Sequence, residues 1–253
     1  MKKINKTALI TGASSGIGRD MARVLAKKGY NLILVARDVN KMLELKKEFN
    51  THVQIISMDL AVEENCKKLY EQVKHVDILI NNAGFGVFGN FAETDLEKEL
   101  NLIDTNIKAV HILTKLFLQD MEQRNEGHIL NVASIAGFTP GPLMAAYYSS
   151  KAYVLRLSEA VNEELRKQKS NVKISVLCPG PVKTNFNNVA GVRFNLNYLS
   201  SEYVARYAID KMLKNKLIIV PGKINKILRV IMKIVPENFC SKINYYVQKR
   251  KNI

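Results

Sequence analysis

Tyr147 and Lys151 stand four residues apart in Ala145-Ala146-Tyr147-Tyr148-Ser149-Ser150-Lys151. On a helix this spacing brings a phenol and an ammonium onto one face. The free groups titrate near about 10 and about 10.4. A fixed cation beside the phenol favours phenolate, so the pairing is expected to lower the tyrosine towards a range useful for proton transfer near neutrality. Any amphipathic helix can carry Tyr-x-x-x-Lys by chance, so the pair gains meaning from its company. Ser134 lies thirteen residues upstream, at the end of the apolar run His128-Ile129-Leu130-Asn131-Val132-Ala133. Tyr148 points about 100° round the helix from Tyr147 and is read as packing.

A second group of residues has the chemistry of a phosphate cradle. Thr11-Gly12-Ala13-Ser14-Ser15-Gly16-Ile17-Gly18 follows an apolar run and opens an amphipathic segment. Glycines there allow a tight turn and close backbone approach to a pyrophosphate, and the following helix N-terminus offers unpaired N–H groups. The stretch Gly12, Ser14, Ser15, Gly16, Ile17 and Gly18 is therefore read as dinucleotide-binding. The next apolar run ends in Leu34-Val35-Ala36-Arg37-Asp38. An acidic residue in that place accepts from the ribose hydroxyls of NAD, whereas an arginine accommodates the 2′-phosphate of NADP. Arg37 holds the first loop position, so NADP(H) is favoured over NAD(H), with Ser14 as a second phosphate contact and Asp38 as the competing inward residue. Asp59-Leu60, after the third run, can hold the adenine amino group, or Asp59 can cap a helix over Ala61–Lys74.

These residues need a scaffold, and the hydrophobic pattern describes one. Thr7–Thr11, Asn31–Ala36, Val53–Met58, Val76–Ile80, His128–Ser134, Val172–Leu177 and Leu217–Val220 read as seven strands, mostly continuous apolar runs of the kind covered on both faces. Helical patterns lie between them, at Ile17–Lys28, Val39–Phe49, Val62–Lys74, Asp95–Gln123, Ala145–Lys169 and Ser201–Lys214. Strand–helix alternation implies right-handed crossovers and an α/β, Rossmann-like, doubly wound parallel sheet. Such a sheet binds its ligand at the carboxyl ends of the strands. The residues singled out above all fall there.

In these motifs, in their order and in a length of 253 residues, the chain resembles the short-chain dehydrogenase/reductase family, in its single-domain branch. The resemblance runs from Thr7 to about Gly222 and rests on Thr11-Gly12-x-x-x-Gly16-x-Gly18, Asp59, Asn81-Asn82-Ala83-Gly84, Asn106, Ser134, Tyr147-x-x-x-Lys151 and Pro179-Gly180-Pro181-Val182-Lys183-Thr184. The pattern is most similar to reductases of ketosteroids, ketoacyl chains and other hydrophobic carbonyls. The resemblance implies hydride transfer between a nicotinamide and a carbonyl or secondary alcohol. Ser134 would donate to the carbonyl oxygen, Tyr147 would act as general acid or base, Lys151 would tune Tyr147 and bind the nicotinamide ribose, and Asn106 would prop a water of the proton relay. Asn82, Ala83 and Gly84 would line the cofactor cleft, and Pro179, Gly180, Val182 and Thr184 would hold the nicotinamide amide. Lys183 receives no role. The family also implies a homodimer or homotetramer through Asp95–Gln123 and Ala145–Lys169. A non-catalytic NADP-binding sensor and a membrane-associated protein on the same fold are the rival readings, and four intact site residues speak against the former.

Substrate contacts are expected from three loops. They are Phe85–Phe91, Phe138–Met144 and Asn185–Leu199, the last carrying Phe186, Val192, Phe194 and Tyr198 and suited to closing as a lid. Composition sets further bounds. Three widely spaced cysteines argue against a disulfide framework or zinc site and fit a reducing cytoplasm. None of the four histidines has metal-like company, and no metal is expected. No secretory signal is expected at the N-terminus, and no apolar run approaches the ~18–20 residues of a membrane span. The net charge is +15, and the stretch from Gly191 onward carries 13 Lys/Arg against 3 Asp/Glu. Residues 1–222 are read as the catalytic domain and 223–253 as a basic amphipathic helical tail. Its apolar stripe would pack on the domain or a subunit, or lie peripherally on a membrane; nucleic acid is the least favoured partner.

Overall fold

The computed structural model describes residues 5–184, 186 and 199–249. Its centre is a seven-stranded parallel sheet. In chain order the strands are β1 (Thr7–Thr11), β2 (Asn31–Ala36), β3 (Val53–Ser57), β4 (Ile78–Asn81), β5 (His128–Val132), β6 (Lys173–Leu177) and, after two short strands, β9 (Ile218–Ile219). The spatial order is β3-β2-β1-β4-β5-β6-β9. The chain starts in mid-sheet, winds outward to β3, then returns past β1 to β4. That reversal opens a crevice at the carboxyl ends of β1 and β4.

Helices cover both faces because successive strand side chains alternate sides. On one face Ala8, Ile10, Leu32 and Leu34 pack against α1 (Gly16–Lys27), α2 (Val39–Lys46) and α7 (Ser201–Met212), through Met21, Leu25, Met42, Val204 and Ala208. On the other, Leu9, Ile33, Leu79 and Ile129 meet α3 (Glu63–Val73), α5 (Ala109–Arg124) and α6 (Ala145–Lys167) through Leu69, Phe117, Met121 and Leu165. The alternation explains why the runs had to be apolar throughout.

Two local features were not legible in the pattern, whereas the tail's helical spacing and its break at Pro236 were. The helix expected over Asp95–Gln123 is α4 (Leu96–Ile103) continued into α5 through one wide π-helical turn at Asp104–Lys108. Two-residue strands β7 (Val182–Lys183) and β8 (Leu199–Ser200) pair in parallel, outside the main sheet. The tail forms α8 (Lys223–Ile234) and α9 (Glu237–Lys249), parted at Pro236, which cannot continue a helix. Within the expected lid, Val192, Phe194 and Tyr198 lie outside the described residues. No helix among the described residues is long and apolar enough to cross a membrane.

Candidate active site

The crevice between β1 and β4 is built by Thr11 and the glycines. Thr11 Oγ1 accepts from the backbone N–H of Asn82 at 2.9 Å and of Ala83 at 3.0 Å. Asn82 Nδ2 donates to the carbonyls of Thr11 and Gly12 at 3.0 and 3.2 Å. This bracket leaves no room beneath the first turn of α1. A Cβ at Gly18 would lie 2.3 Å from Asn82 Nδ2 and 2.5 Å from the Gly12 carbonyl oxygen. Gly12 and Gly16 also adopt left-handed backbone, with φ of +64° and +55°. Ser15, in extended conformation, precedes α1 without capping it through its side chain. A glycine-floored cradle under an uncapped helix N-terminus fits the pyrophosphate of a dinucleotide. Thr184 borders the same turn, its Cγ2 3.1 Å from where a Gly16 Cβ would stand.

The loops after β2 and β3 meet at the cleft's outer end. Arg37 is exposed, its Nη1 3.7 Å from Asp59 Oδ2. Asp38 turns its carboxylate to its own helix, accepting from Lys41 N–H at 3.1 Å as the cap of α2 and pairing with Lys41 Nζ at 2.8 Å. Asp59 is not the cap of α3, which begins at Glu63 behind Val62. Its Oδ1 instead accepts from Ala61 N–H at 3.1 Å. Leu60 beside it is buried.

Asn106, Ser134, Tyr147 and Lys151 come together at the carboxyl edge of β4 and β5. Asn106 sits in the π-helical turn, fully buried rather than turned to solvent. Its Oδ1 accepts from Phe85 N–H at 3.1 Å, and its Nδ2 donates to the Phe85 carbonyl at 2.9 Å and to Ser150 Oγ at 3.0 Å. Ser134 is extended just past β5; its Oγ accepts from Ala136 N–H at 3.1 Å and hydrogen-bonds the Tyr147 side chain. Lys151 is buried and donates to the Val132 carbonyl at 3.0 Å, with Nζ 5.8 Å from the Tyr147 ring centroid. Gly84 lets the two helices converge: a Cβ there would lie 2.7 Å from Asn106 Oδ1 and 3.3 Å from Lys151 Nζ.

The electrostatics correct one expectation from the sequence. Burial pushes the Tyr147 phenol up to about 12, with the Ser134 hydrogen bond pulling weakly the other way, so it is not lowered. Burial also presses Lys151 down to about 8. Desolvation penalises both charged forms, and it is the largest cause of each shift.

Several positioning residues escaped the sequence reading. A buried chain runs from Asn81 Nδ2 to Thr114 Oγ1 and Asn131 Oδ1, at 3.1 and 2.9 Å, and from Asn131 Nδ2 to Ser158 Oγ at 3.0 Å. It ties β4 and β5 to α5 and α6, the helices that follow Asn106 and carry Tyr147. Asn81 already stood in the family motif; for Thr114, Asn131 and Ser158 the available signal was a polar side chain among apolar neighbours. Asn225, from α8, packs against Gly180, where a Cβ would meet its Oδ1 at 2.5 Å. On the open side of Tyr147, Phe88, Met144, Tyr148 and Phe186 form an apolar cluster. Leu143, in left-handed backbone at φ +65°, turns the chain into α6 there. Cys178 is a buried free thiol, pushed up to about 12 by burial. Among the described residues no group of three or more His, Cys, Asp or Glu could hold a metal ion.

This fold and arrangement coincide with a known family. Residues 6–191 match the model of the short chain dehydrogenases, and the chain belongs to that family of oxidoreductases. An uncharacterized oxidoreductase of Staphylococcus epidermidis is 32% identical over 71% of this chain and 79% of its own. The 17-beta-hydroxysteroid dehydrogenase type 3 of Rattus norvegicus is 31% identical over 93% of this chain and 78% of its own. A short-chain dehydrogenase from Sphingobium yanoikuyae, solved in complex with NADPH, superposes with a TM-score of 0.80 at 27% identity, over 92% of this chain and 97% of that one. A family member from Burkholderia phymatum, solved with NAD, gives 0.81 at 25% identity, over 90% and 93%.

Proposed function

We propose that the chain is an NADP(H)-dependent oxidoreductase that interconverts a carbonyl and a secondary alcohol on a hydrophobic small molecule. The observation that carries this reading is the convergence of Ser134, Tyr147, Lys151 and Asn106 beside the glycine cradle. When bound there, the nicotinamide supplies or accepts the hydride at the carbonyl carbon. Ser134 donates a hydrogen bond to the carbonyl oxygen as negative charge develops on it. Tyr147, held protonated by burial, gives that oxygen its proton in reduction and takes one back in oxidation. Lys151, near the ribose, stabilises phenolate once Tyr147 has given up its proton. Asn106 borders the same space at Gly84, where a water on it would relay the proton from solvent.

The preference for NADP(H) is supported by the opposite fates of the two residues after β2. Arg37 is exposed at the outer end of the cleft, where the long pair with Asp59 holds it and a 2′-phosphate would reach it, whereas the Asp38 carboxylate is engaged by α2 and Lys41. Asp59 and Leu60 would face the adenine, and Pro179, Gly180, Val182 and Thr184 the nicotinamide amide. The cluster of Phe88, Met144, Tyr148 and Phe186 favours an apolar substrate. Exposed Leu96, Leu100, Ile103 and Tyr153 on α4 and α6 support assembly as a homodimer or homotetramer.

NADPH oxidation against ketones, ketosteroids, quinones and ketoacyl thioesters tests the activity. Replacing Tyr147 by Phe should lower turnover about 10²–10⁴-fold, the usual worth of a positioned proton donor. NADPH affinity should stay within a few fold. Carbonyl reduction at the wild-type rate by Tyr147→Phe would sink the mechanism.

A further inference from the structure

The tail helices rest on the catalytic domain by their polar edges and turn their apolar faces outward. On α8 the Asn225 amide donates to the Pro221 carbonyl at 2.8 Å, and the Arg229 guanidinium lies 5.5 Å over the Phe138 ring. On α9, Asn244 Nδ2 donates to the Pro140 carbonyl at 2.7 Å and to Thr139 Oγ1 at 3.0 Å, and Gln248 donates to the Tyr148 hydroxyl at 2.6 Å. Both helices are thereby anchored beside the substrate loop. Ile224, Ile227, Ile231 and Ile234 recur at i, i+3, i+7 and i+10 on the outer face of α8, between 47% and 77% exposed. Phe239, Ile243 and Tyr246 repeat the pattern on α9, between 47% and 67% exposed. A helix that needed only its own domain would bury such a stripe.

We propose that the outer faces of α8 and α9 dock on an anionic lipid bilayer surface, with both helices lying in its plane. Charge selects this occupant. Residues 223–249 hold six Lys/Arg and one acid, Glu237; Arg229 is turned inward to Phe138, which leaves five exposed lysines to one acid. A second copy of the same face would set basic charge against basic charge, whereas anionic headgroups neutralise it. Nucleic acid would meet the lysines but leave the isoleucines in water. Both helices are also shorter than a membrane span, which fits an interfacial position. The loop from Phe138 to Met144 lies against the inner sides of these helices, so docking would leave it separated from the lipid surface by the helices themselves.

Flotation of the full chain with phosphatidylcholine vesicles, with and without phosphatidylglycerol, tests the proposal independently of any activity. Wild type should bind the anionic vesicles at low salt and bind phosphatidylcholine at least tenfold more weakly. Lys226→Gln and Lys233→Gln should each weaken binding about fivefold. The double change Ile224→Glu and Ile234→Glu should abolish it while circular dichroism and the melting midpoint stay unchanged, since these two side chains are the most exposed of the stripe, at 71% and 77%. Failure of wild type to float at low salt would overturn the proposal. So would undiminished flotation of the isoleucine double variant. Conversion of a wild-type dimer to monomers by the same double change, seen by sedimentation velocity, would assign the face to a second copy instead.

Discussion

At the scale of single residues, the site is a contest between desolvation and local charge. Lys151 was expected to help Tyr147 ionise, yet burial disfavours both charged forms. A protonated phenol is suited to giving a proton to a carbonyl oxygen at neutral pH. Under the proposed preference for NADP(H), Arg37 is the other decisive residue, because a 2′-phosphate needs a cation and Arg37 is the first residue after β2. Arg37→Asp should move the ratio of kcat/KM for NADPH over NADH towards NADH by at least tenfold. An unchanged ratio would remove Arg37 as the phosphate clamp.

At the scale of elements, the motifs work because particular backbone turns hold them. The π-helical turn at Asp104–Lys108 swings Asn106 inward, where Phe85 and Ser150 hold its amide. Wide helical turns often occur at functional positions, and the sequence gives no sign of this one. The first turn of α1 depends on close approach instead. Gly18→Ala would drive a methyl into Asn82 Nδ2 and the Gly12 carbonyl oxygen. It should weaken NADPH binding more than tenfold and cost about 1–3 kcal/mol of stability. Fluorescence titration and a denaturation midpoint measure these; wild-type values in both would show that the cradle tolerates a methyl.

At the scale of the whole molecule, the sheet order makes one site from distant segments. Thr11, Asn82, Ser134 and Pro179 follow different strands, and their neighbourhood comes from the return of the chain past β1. The same burial that shapes the site leaves a mark on global stability. The Lys151 pKa falls from 10.5 unfolded to about 8 folded, so between these values the unfolded chain binds more protons. Stability from this group therefore rises with pH across that window, and the cost of burying its charge is fullest below pH 8. Lys151→Met should flatten that rise by an amount on the order of 3 kcal/mol, read as the difference between wild-type and variant urea profiles. Identical slopes for the two proteins would mean that Lys151 is solvated in the fold.

The Tyr147/Lys151 pair, Ser134, the glycine turn and seven parallel strands were legible from sequence. Each rests on local chemistry: spacing on a helix, permissive backbone at glycine, and apolar runs that must be covered on both sides. The catalytic helix was expected at Ala145–Lys169 and occurs at Ala145–Lys167. Tertiary structure decided the rest, because those properties depend on what lies across the chain. The direction of the Tyr147 shift follows from burial by α6 and its neighbours, which no spacing reports. The Asn81–Thr114–Asn131–Ser158 chain joins residues up to 77 positions apart. The tail's stripe was expected to find cover on the domain, on a subunit or on a membrane. The fold uses Asn225, Asn244 and Gln248 as the contacts with the domain and leaves the isoleucines exposed, so the domain itself does not cover the stripe. Amphipathic period predicts a helix with two faces; only packing decides which face the protein keeps for itself.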